Sequence, residues 1–210
     1  MPGHARSTWN TTCNGDAWLT GSTALPLADL YRRLSRALRG KRWYVFGARA
    51  AIHFGSARGT VDVDISLALD GQTPESLITL LAAEGFDTRI PDWEELLHVA
   101  RVLLLTDRTS GIEVDIVMTG PGLEEEFHSR TRSAVLSGIP VPVISPEDLV
   151  IGKVLAGRAQ DLQDVGAVLA ATGTLEVQRI IDTLRSIERA LDRGDLVDEF
   201  FRLLGNHRRD

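Results

Sequence analysis

The chain has one cysteine, Cys13, in 210 residues. No intrachain disulfide can form, and a cysteine-based zinc site is out of reach. Long apolar runs are also missing. The stretch Val102–Leu105 is bounded by Arg101 and Thr106, far short of the ~18 apolar residues that a membrane span needs. The first 25 residues are polar, rich in Ser, Thr and Gly, and lack the apolar core of a secretory signal. A cytoplasmic protein with no membrane partner is expected, and in that setting the Asn10-Thr11-Thr12 sequon carries no weight. Surplus positive charge is absent too. The 23 Lys+Arg face 29 Asp+Glu, for a net charge of -6, which excludes a general nucleic-acid coat, because counterion release needs a cationic surface. The chain contains no Gly-x4-Gly-Lys-[Ser/Thr] loop, Gly-x-Gly-x-x-Gly turn, Gly-x-Ser-x-Gly elbow or His-Glu-x-x-His pair. Phosphate-loop, dinucleotide, hydrolase and zinc-protease chemistries therefore lack their signatures.

What is present is ordinary globular material, 43% apolar and 25% charged, enough for one cored domain with a small appendage. The charge is unevenly spread. Residues 31–60 contain Arg32, Arg33, Arg36, Arg39, Lys41, Arg42, Arg49 and Arg58, and no acid. The other 180 residues therefore hold -14, the net of -6 less this segment's +8.

Periodicity divides the chain into a polar, flexible arm over 1–25, a mixed α/β lobe over 26–144 and a helical lobe over 145–210. Leu27, Leu30, Tyr31, Leu34 and Leu38 recur at helical spacing. Trp43–Phe46 reads as a strand running into Gly47, and Ala48–Phe54 as a short helix. Val61–Leu69 alternates apolar and polar residues, as a strand with one buried face does. A helix over Pro74–Glu84 and strands over 86–90, 99–106, 112–118 and 141–144 follow. Ser145-Pro146-Glu147 then supplies an N-cap, a first-turn proline and a first-turn acid. Helical periods run over about 146–156, 159–171, 175–191 and 195–204.

The chemistry is concentrated in one stretch. A glycine turn at Gly47 and a short helix precede a strand carrying Asp62 and Asp64. Residues i and i+2 of a strand share a face, with Cα atoms roughly 6.5–7 Å apart. Two such carboxylates can bridge hard cations roughly 3.5–4 Å apart. A third acid, Asp115, sits mid-strand in Ile112-Glu113-Val114-Asp115-Ile116, where an unpaired buried carboxylate is costly and a metal would explain it. Glu113, on the same face, is a possible accessory ligand. A solvated polar face is the competing reading of Asp62 and Asp64.

The segment Gly47-x2-Ala50…Gly55-x2-Arg58-x-Thr60-x-Asp62-x-Asp64 resembles the nucleotidyltransferase signature, and most closely the AbiEii-type, type IV toxin, branch. Residues 145–165, with Ser145, Pro146, Lys153, Arg158, Asp161 and Asp164, are similar to that family's C-terminal helix pair. The resemblance covers about 43–170. It implies an α/β (α+β) fold with a mixed sheet flanked by helices, and a C-terminal helical lobe. It implies an enzyme that transfers a nucleoside monophosphate from an NTP to an acceptor hydroxyl. Asp62, Asp64 and Asp115 would hold two Mg²⁺ ions, and Asp115 would take the acceptor's proton. The backbone at Gly47 and Ala48, with Arg58, Thr60, Lys153 and Arg158, would meet the nucleotide. One departure is Ala48, where the superfamily has Gly or Ser; the hydroxyl contact is lost and the backbone N–H remains. Lys153 and Asp161 fall on one helix face, so a structural Lys–Asp network is the alternative there. Arg58 is alternatively a brace for Asp62 or Asp64.

Arg32, Arg36 and Arg39 share a face of the first helix. Beside the site, that face would suit an RNA end, plausibly tRNA, as acceptor. The resemblance also implies a toxin with a cognate antitoxin, or a protein acceptor. Two other readings stand beside it: a small-molecule enzyme of the aminoglycoside or lincosamide type, with an acidic acceptor pocket, and a catalytically degenerate binding module.

Overall fold

A computed structural model describes residues 21–207. The element order is α1 (Gly21–Ala37), β1 (Trp43–Phe46), α2 (Gly47–His53), β2 (Val63–Leu67), α3 (Pro74–Ala83), β3 (Phe86–Thr88), α4 (Trp93–Ala100), β4 (Val102–Asp107), β5 (Glu113–Met118), α5 (Leu123–Ser129), β6 (Arg132–Leu136), β7 (Ile139–Val143), α6 (Pro146–Ala156), α7 (Ala159–Ala171), α8 (Val177–Leu191) and α9 (Leu196–His207). Among the described residues, seven strands form one mixed sheet in the order β3-β4-β5-β2-β1-β7-β6. β2 runs parallel to β5 and antiparallel to β1, and β1 runs parallel to β7.

Strand alternation gives this sheet two unlike faces. One carries Val45, Val63, Ile65, Leu67, Leu103, Leu105, Val114 and Ile116, all buried. Helix α1 covers this face. Its Arg33 makes a twin hydrogen bond to Asp107, at 2.7 and 2.8 Å, and Asp107 follows Leu103 and Leu105 at two-residue steps along β4. The opposite face carries Tyr44, Phe46, Asp64, Ser66, Asp115 and Val117, as the register pairs Phe46 with Asp64 and Asp64 with Asp115. Helix α6 stands over this second face. Ser145 caps it by accepting from the Asp148 N–H at 3.1 Å, and Gly157 ends it at φ +66°.

Several boundaries differ from the sequence expectation. The part of the expected arm over 1–20 lies outside the described residues, while residues 21–25 already belong to α1. The strand expected from 99 begins at Val102. Val99 and Ala100 finish α4, and Arg101 turns the chain at φ +58°. β2 starts at Val63, so Asp62 lies on the loop entering it. α4, α5 and β6 had no counterpart in the periodicity. β6 forms a hairpin with β7 through Ser137 and Gly138, both at positive φ, the backbone of a two-residue hairpin turn.

Candidate active site

Asp64 and Asp115 are direct neighbours on the parallel strands β2 and β5. Gly47 lies against Asp64. A Cβ placed on Gly47 would come within 2.7 Å of the Asp64 carboxyl carbon, and the backbone there has φ +61°. Glycine is needed twice at this position, for the close approach and for the left-handed conformation. Burial pushes the Asp64 carboxyl up from its ordinary pKa. The Ala48 N–H opposes the rise by donating to it, and the charges of Asp115 and Asp62 add to it. Burial likewise pushes Asp115 up, against the Arg89 guanidinium, with Glu113 and Asp62 adding to the rise. Asp64 and Asp115 are thus both raised by burial and by neighbouring negative charge, and an added cation would relieve the two.

The neighbouring residues hold this arrangement in place. Thr60 Oγ1 accepts from the Asp62 N–H at 3.4 Å. Buried Arg49 donates to the carbonyls of Asp62 and Val61 at 3.2 and 3.3 Å, fixing the backbone that enters β2. Arg58 pairs with Asp164 at 3.5 Å, and Ser56 Oγ donates to the same carboxylate at 2.7 Å. The loop before the carboxylates is therefore anchored to α7, away from Asp62 and Asp64. Lys153 Nζ is buried and donates to Asp161 at 2.9 Å and to Asp164 at 2.7 Å. Arg158 shares Asp161 at 2.5 Å. Ala48 is buried, with its N–H already given to Asp64.

Between the second sheet face and α6 lies a cleft of about 260 Å³, lined by Tyr44, Phe46, Gly47, Ser66, Lys153 and Arg158 among others. Gly47 joins the cleft to Asp64. A polar chain starts from Ser66 on its wall. Ser66 Oγ is 3.2 Å from Thr119 Oγ1, which is 2.5 Å from His128 Nε2. The His128 ring meets Tyr44 edge to face at 4.7 Å. Burial pushes the Tyr44 phenol up to about 12, and burial lowers His128.

A family model described as "Nucleotidyl transferase AbiEii toxin, Type IV TA system" matches residues 28–203. The chain belongs to the AbiEii nucleotidyltransferase family. As a member, it is a transferase of the nucleotidyltransferase class. The fold agrees with that of the antibiotic-resistance factor ANT(2'')-Ia in solution, at TM-score 0.56 and 15% identity, over 81% of this chain and 96% of that one. The same factor in a crystal with adenylyl-2''-tobramycin matches at TM-score 0.51 and 12% identity, over 80% and 98%. No curated protein matches the sequence.

Nucleotidyltransferases generally use a divalent cation, and Asp62, Asp64 and Asp115 are the residues here that could hold one. The donor chemistry fits, since hard cations take carboxylate oxygens and Asp64 and Asp115 each gain from added positive charge. Among the described residues, however, no three His, Cys, Asp or Glu side chains stand together as a ready metal-holding group. Asp115 is engaged instead by Arg89, which also holds Glu113. Sequence reasoning missed Arg89. It also missed the link from Ser66 to His128, which depends on strand register and on α5. The arginine face of α1 lies behind the sheet, on the side opposite Asp64 and Asp115. There Arg36 pairs with Glu84 at 2.8 Å. Among the described residues, no helix is long and apolar enough to cross a membrane.

Proposed function

We propose that this chain transfers a nucleoside monophosphate from an NTP to an acceptor hydroxyl in the cytoplasm, with Mg²⁺ at Asp62, Asp64 and Asp115. The observation that carries the reading is the side-by-side placement of Asp64 and Asp115, with Gly47 linking them to the cleft under Lys153. The NTP lies in that cleft. Two of the three protons of the Lys153 ammonium are spent on Asp161 and Asp164, which leaves one for a phosphate oxygen. Arg158 is largely exposed beyond its bond to Asp161 and meets the outer phosphates. When bound, the metal neutralises charge that develops on the transferred phosphoryl group. Asp64 is held rigid by the Ala48 N–H and by the absence of a side chain at Gly47, so its oxygens are fixed before substrate arrives. Asp115 accepts the proton of the attacking hydroxyl.

Family membership supports a toxin paired with an antitoxin, with an RNA end, tRNA in particular, or a protein as acceptor. Two observations favour a second reading, transfer to a small cationic molecule such as an aminoglycoside. The basic face of α1 is behind the sheet, and the acceptor side beside Asp115 carries the half-exposed Glu113. One experiment separates them: incubation with each labelled NTP and Mg²⁺, in parallel with total tRNA, a protein extract and tobramycin. The Asp64→Ala variant is the control. Label on tRNA that is unaffected by changing Arg32, Arg36 and Arg39 together to alanine keeps the RNA reading and removes α1 from it. Label on tobramycin selects the second reading. No Asp64-dependent label on any acceptor refutes both and leaves a binding module of the same fold.

A further inference from the structure

The carboxylates have the chemistry of a metal site, yet one of them is already engaged. Arg89 follows β3 and continues its ladder, donating its N–H to the Leu104 carbonyl at 2.9 Å. Leu104 pairs with Asp115, and Asp115 with Asp64. Arg89, Leu104, Asp115 and Asp64 therefore form one row across the sheet. With strands about 4.8 Å apart, Arg89 Cα lies roughly 9.6 Å from Asp115 Cα, a gap that an extended arginine and an aspartate close between them. The guanidinium donates one Nη to Glu113 Oε2 and the other to Asp115 Oδ1.

This contact differs from the permanent ion pairs of the fold. Asp107 is fully buried and is held by a twin bond from Arg33, the Ser110 hydroxyl and the N–H groups of Thr109 and Ser110. Arg33 further donates to the Glu84 carbonyl at 3.0 Å. Among the described residues, the hydrogen bonds recorded to Asp115 come from Arg89. The Arg89 Nε is buried without a hydrogen-bond partner. Asp115 is 34% exposed and Glu113 is 50% exposed, so the pair opens towards solvent at the β4–β5 side of the site. A guanidinium and a hard cation seek the same carboxylate lone pairs and repel each other.

We propose that Arg89 is an exchangeable counter-ion of Asp115, displaced by the divalent cation, so that it sets the affinity of the carboxylate site for metal. This rests on the reading of Asp64 and Asp115 as metal ligands. Arg89 is a positioning residue in this scheme: it keeps Asp115 neutralised until a cation arrives, and stays on Glu113 alone when one does.

The test is Mn²⁺ titration of the full chain, with free Mn²⁺ read by electron paramagnetic resonance and no nucleotide present. Arg89→Ala and Arg89→Gln each bind Mn²⁺ about tenfold more tightly than the unaltered protein, the scale of removing one opposing charge at this range. Arg89→Lys stays close to the unaltered protein. The gain disappears when Arg89→Ala is combined with Asp115→Asn. Thermal melting of each variant confirms that it is folded. If Asp64→Asn and Asp115→Asn weaken Mn²⁺ binding but Arg89→Ala and Arg89→Gln leave it unchanged or weaken it, the counter-ion role is overturned and the ligand reading stands. If neither Asp64→Asn nor Asp115→Asn alters Mn²⁺ binding, both fall.

Discussion

Replacing Gly47 by alanine isolates the contact on which the site depends. The perturbation has two parts. A residue with a Cβ at φ +61° pays about 1–2 kcal/mol for the left-handed conformation. The new methyl would also stand 2.7 Å from the Asp64 carboxyl carbon and 3.0 Å from its Cβ, closer still to Oδ2. Ordinary contact begins near 3.4 Å, so the carboxyl carbon must retreat by about 0.7 Å and Oδ2 by more than that. The stability cost is then about 2 kcal/mol, allowing for a small overpacking contribution, or a melting temperature lower by about 4–8 °C for a chain of this length. The catalytic cost is larger. A displacement approaching 1 Å in a reacting group costs on the order of a hundredfold in rate. Gly40→Ala is the matching control. Gly40 also has positive φ, +76°, but a Cβ there meets nothing within 4 Å, so it carries the backbone cost without the collision. Thermal melts and pyrophosphate release from each NTP with Mg²⁺ would be measured on both variants. Gly47→Ala should lose activity on the order of a hundredfold while Gly40→Ala keeps it within about twofold, at comparable losses of melting temperature. Equal activities in the two variants would refute the claim that Gly47 is glycine for the sake of Asp64.

Two further perturbations read the ion pairs around the site. Burial alone would push Asp107 up, but the Arg33 guanidinium, the Ser110 hydroxyl and the Thr109 N–H outweigh it and hold the carboxyl below its ordinary value. A depressed carboxyl contributes stability above its unfolded pKa of roughly 3.9 and loses it as pH falls through the folded value. Arg33→Met therefore costs about 3–5 kcal/mol near pH 7, a difference that urea unfolding should show shrinking below about pH 4. Lys153→Met leaves Asp161 and Asp164 buried with less positive charge and also costs about 3–5 kcal/mol. Adding Asp164→Asn should recover part of that loss, and a double variant no more stable than Lys153→Met would show that Lys153 does not neutralise this pair.

The legible parts of the sequence were those written in local patterns. The Trp43–Phe46 run into Gly47 and the Ser145-Pro146-Glu147 start of α6 combine a strong period with a turn or cap, and these elements fall within a residue or so of expectation. Helix α4 was hidden because Val99 and Ala100 extend the apolar run of Val102–Leu105 backwards. The break between them is a left-handed Arg101, with no glycine to mark it. β6 was hidden because it is an edge strand with Arg132, Ser133 and Val135 exposed, so it has little alternation to detect. The same distinction governs the site. Asp62 and Asp64 are legible because their spacing is local, and Lys153 with Asp161 because they lie eight residues apart, on the adjoining ends of α6 and α7. Arg89 reaches Asp115 only through two successive strand registers, β3 to β4 and β4 to β5. His128 reaches Ser66 only through Thr119.

The uneven charge of the sequence bears on how a nucleotide can enter. Much of the acid-free stretch over 31–60 is matched by acids from later in the chain: Arg33 by Asp107, Arg36 by Glu84, Arg42 by Asp70 and Glu125, and Arg58 by Asp164. Arg49 is turned to backbone carbonyls. These cations brace the fold and add little to the reaction centre, where Asp62, Asp64, Glu113 and Asp115 stand against Arg89. A triphosphate is itself strongly negative. Lys153 and Arg158, both already committed to Asp161, offer it limited compensation, so bare NTP should be repelled by the carboxylates and NTP accompanied by a divalent cation should not. Nucleotide affinity should therefore fall at least about tenfold when Mg²⁺ is chelated, the scale of one unpaired like-charge contact. In the Asp64→Asn/Asp115→Asn double variant, which removes the repulsion, most of that dependence should vanish. Calorimetric titration with a non-hydrolysable NTP analogue, with and without chelator, measures both. If chelation weakens binding equally in the unaltered protein and the double variant, the cation acts on the phosphates alone and the carboxylates have no part in admitting the nucleotide.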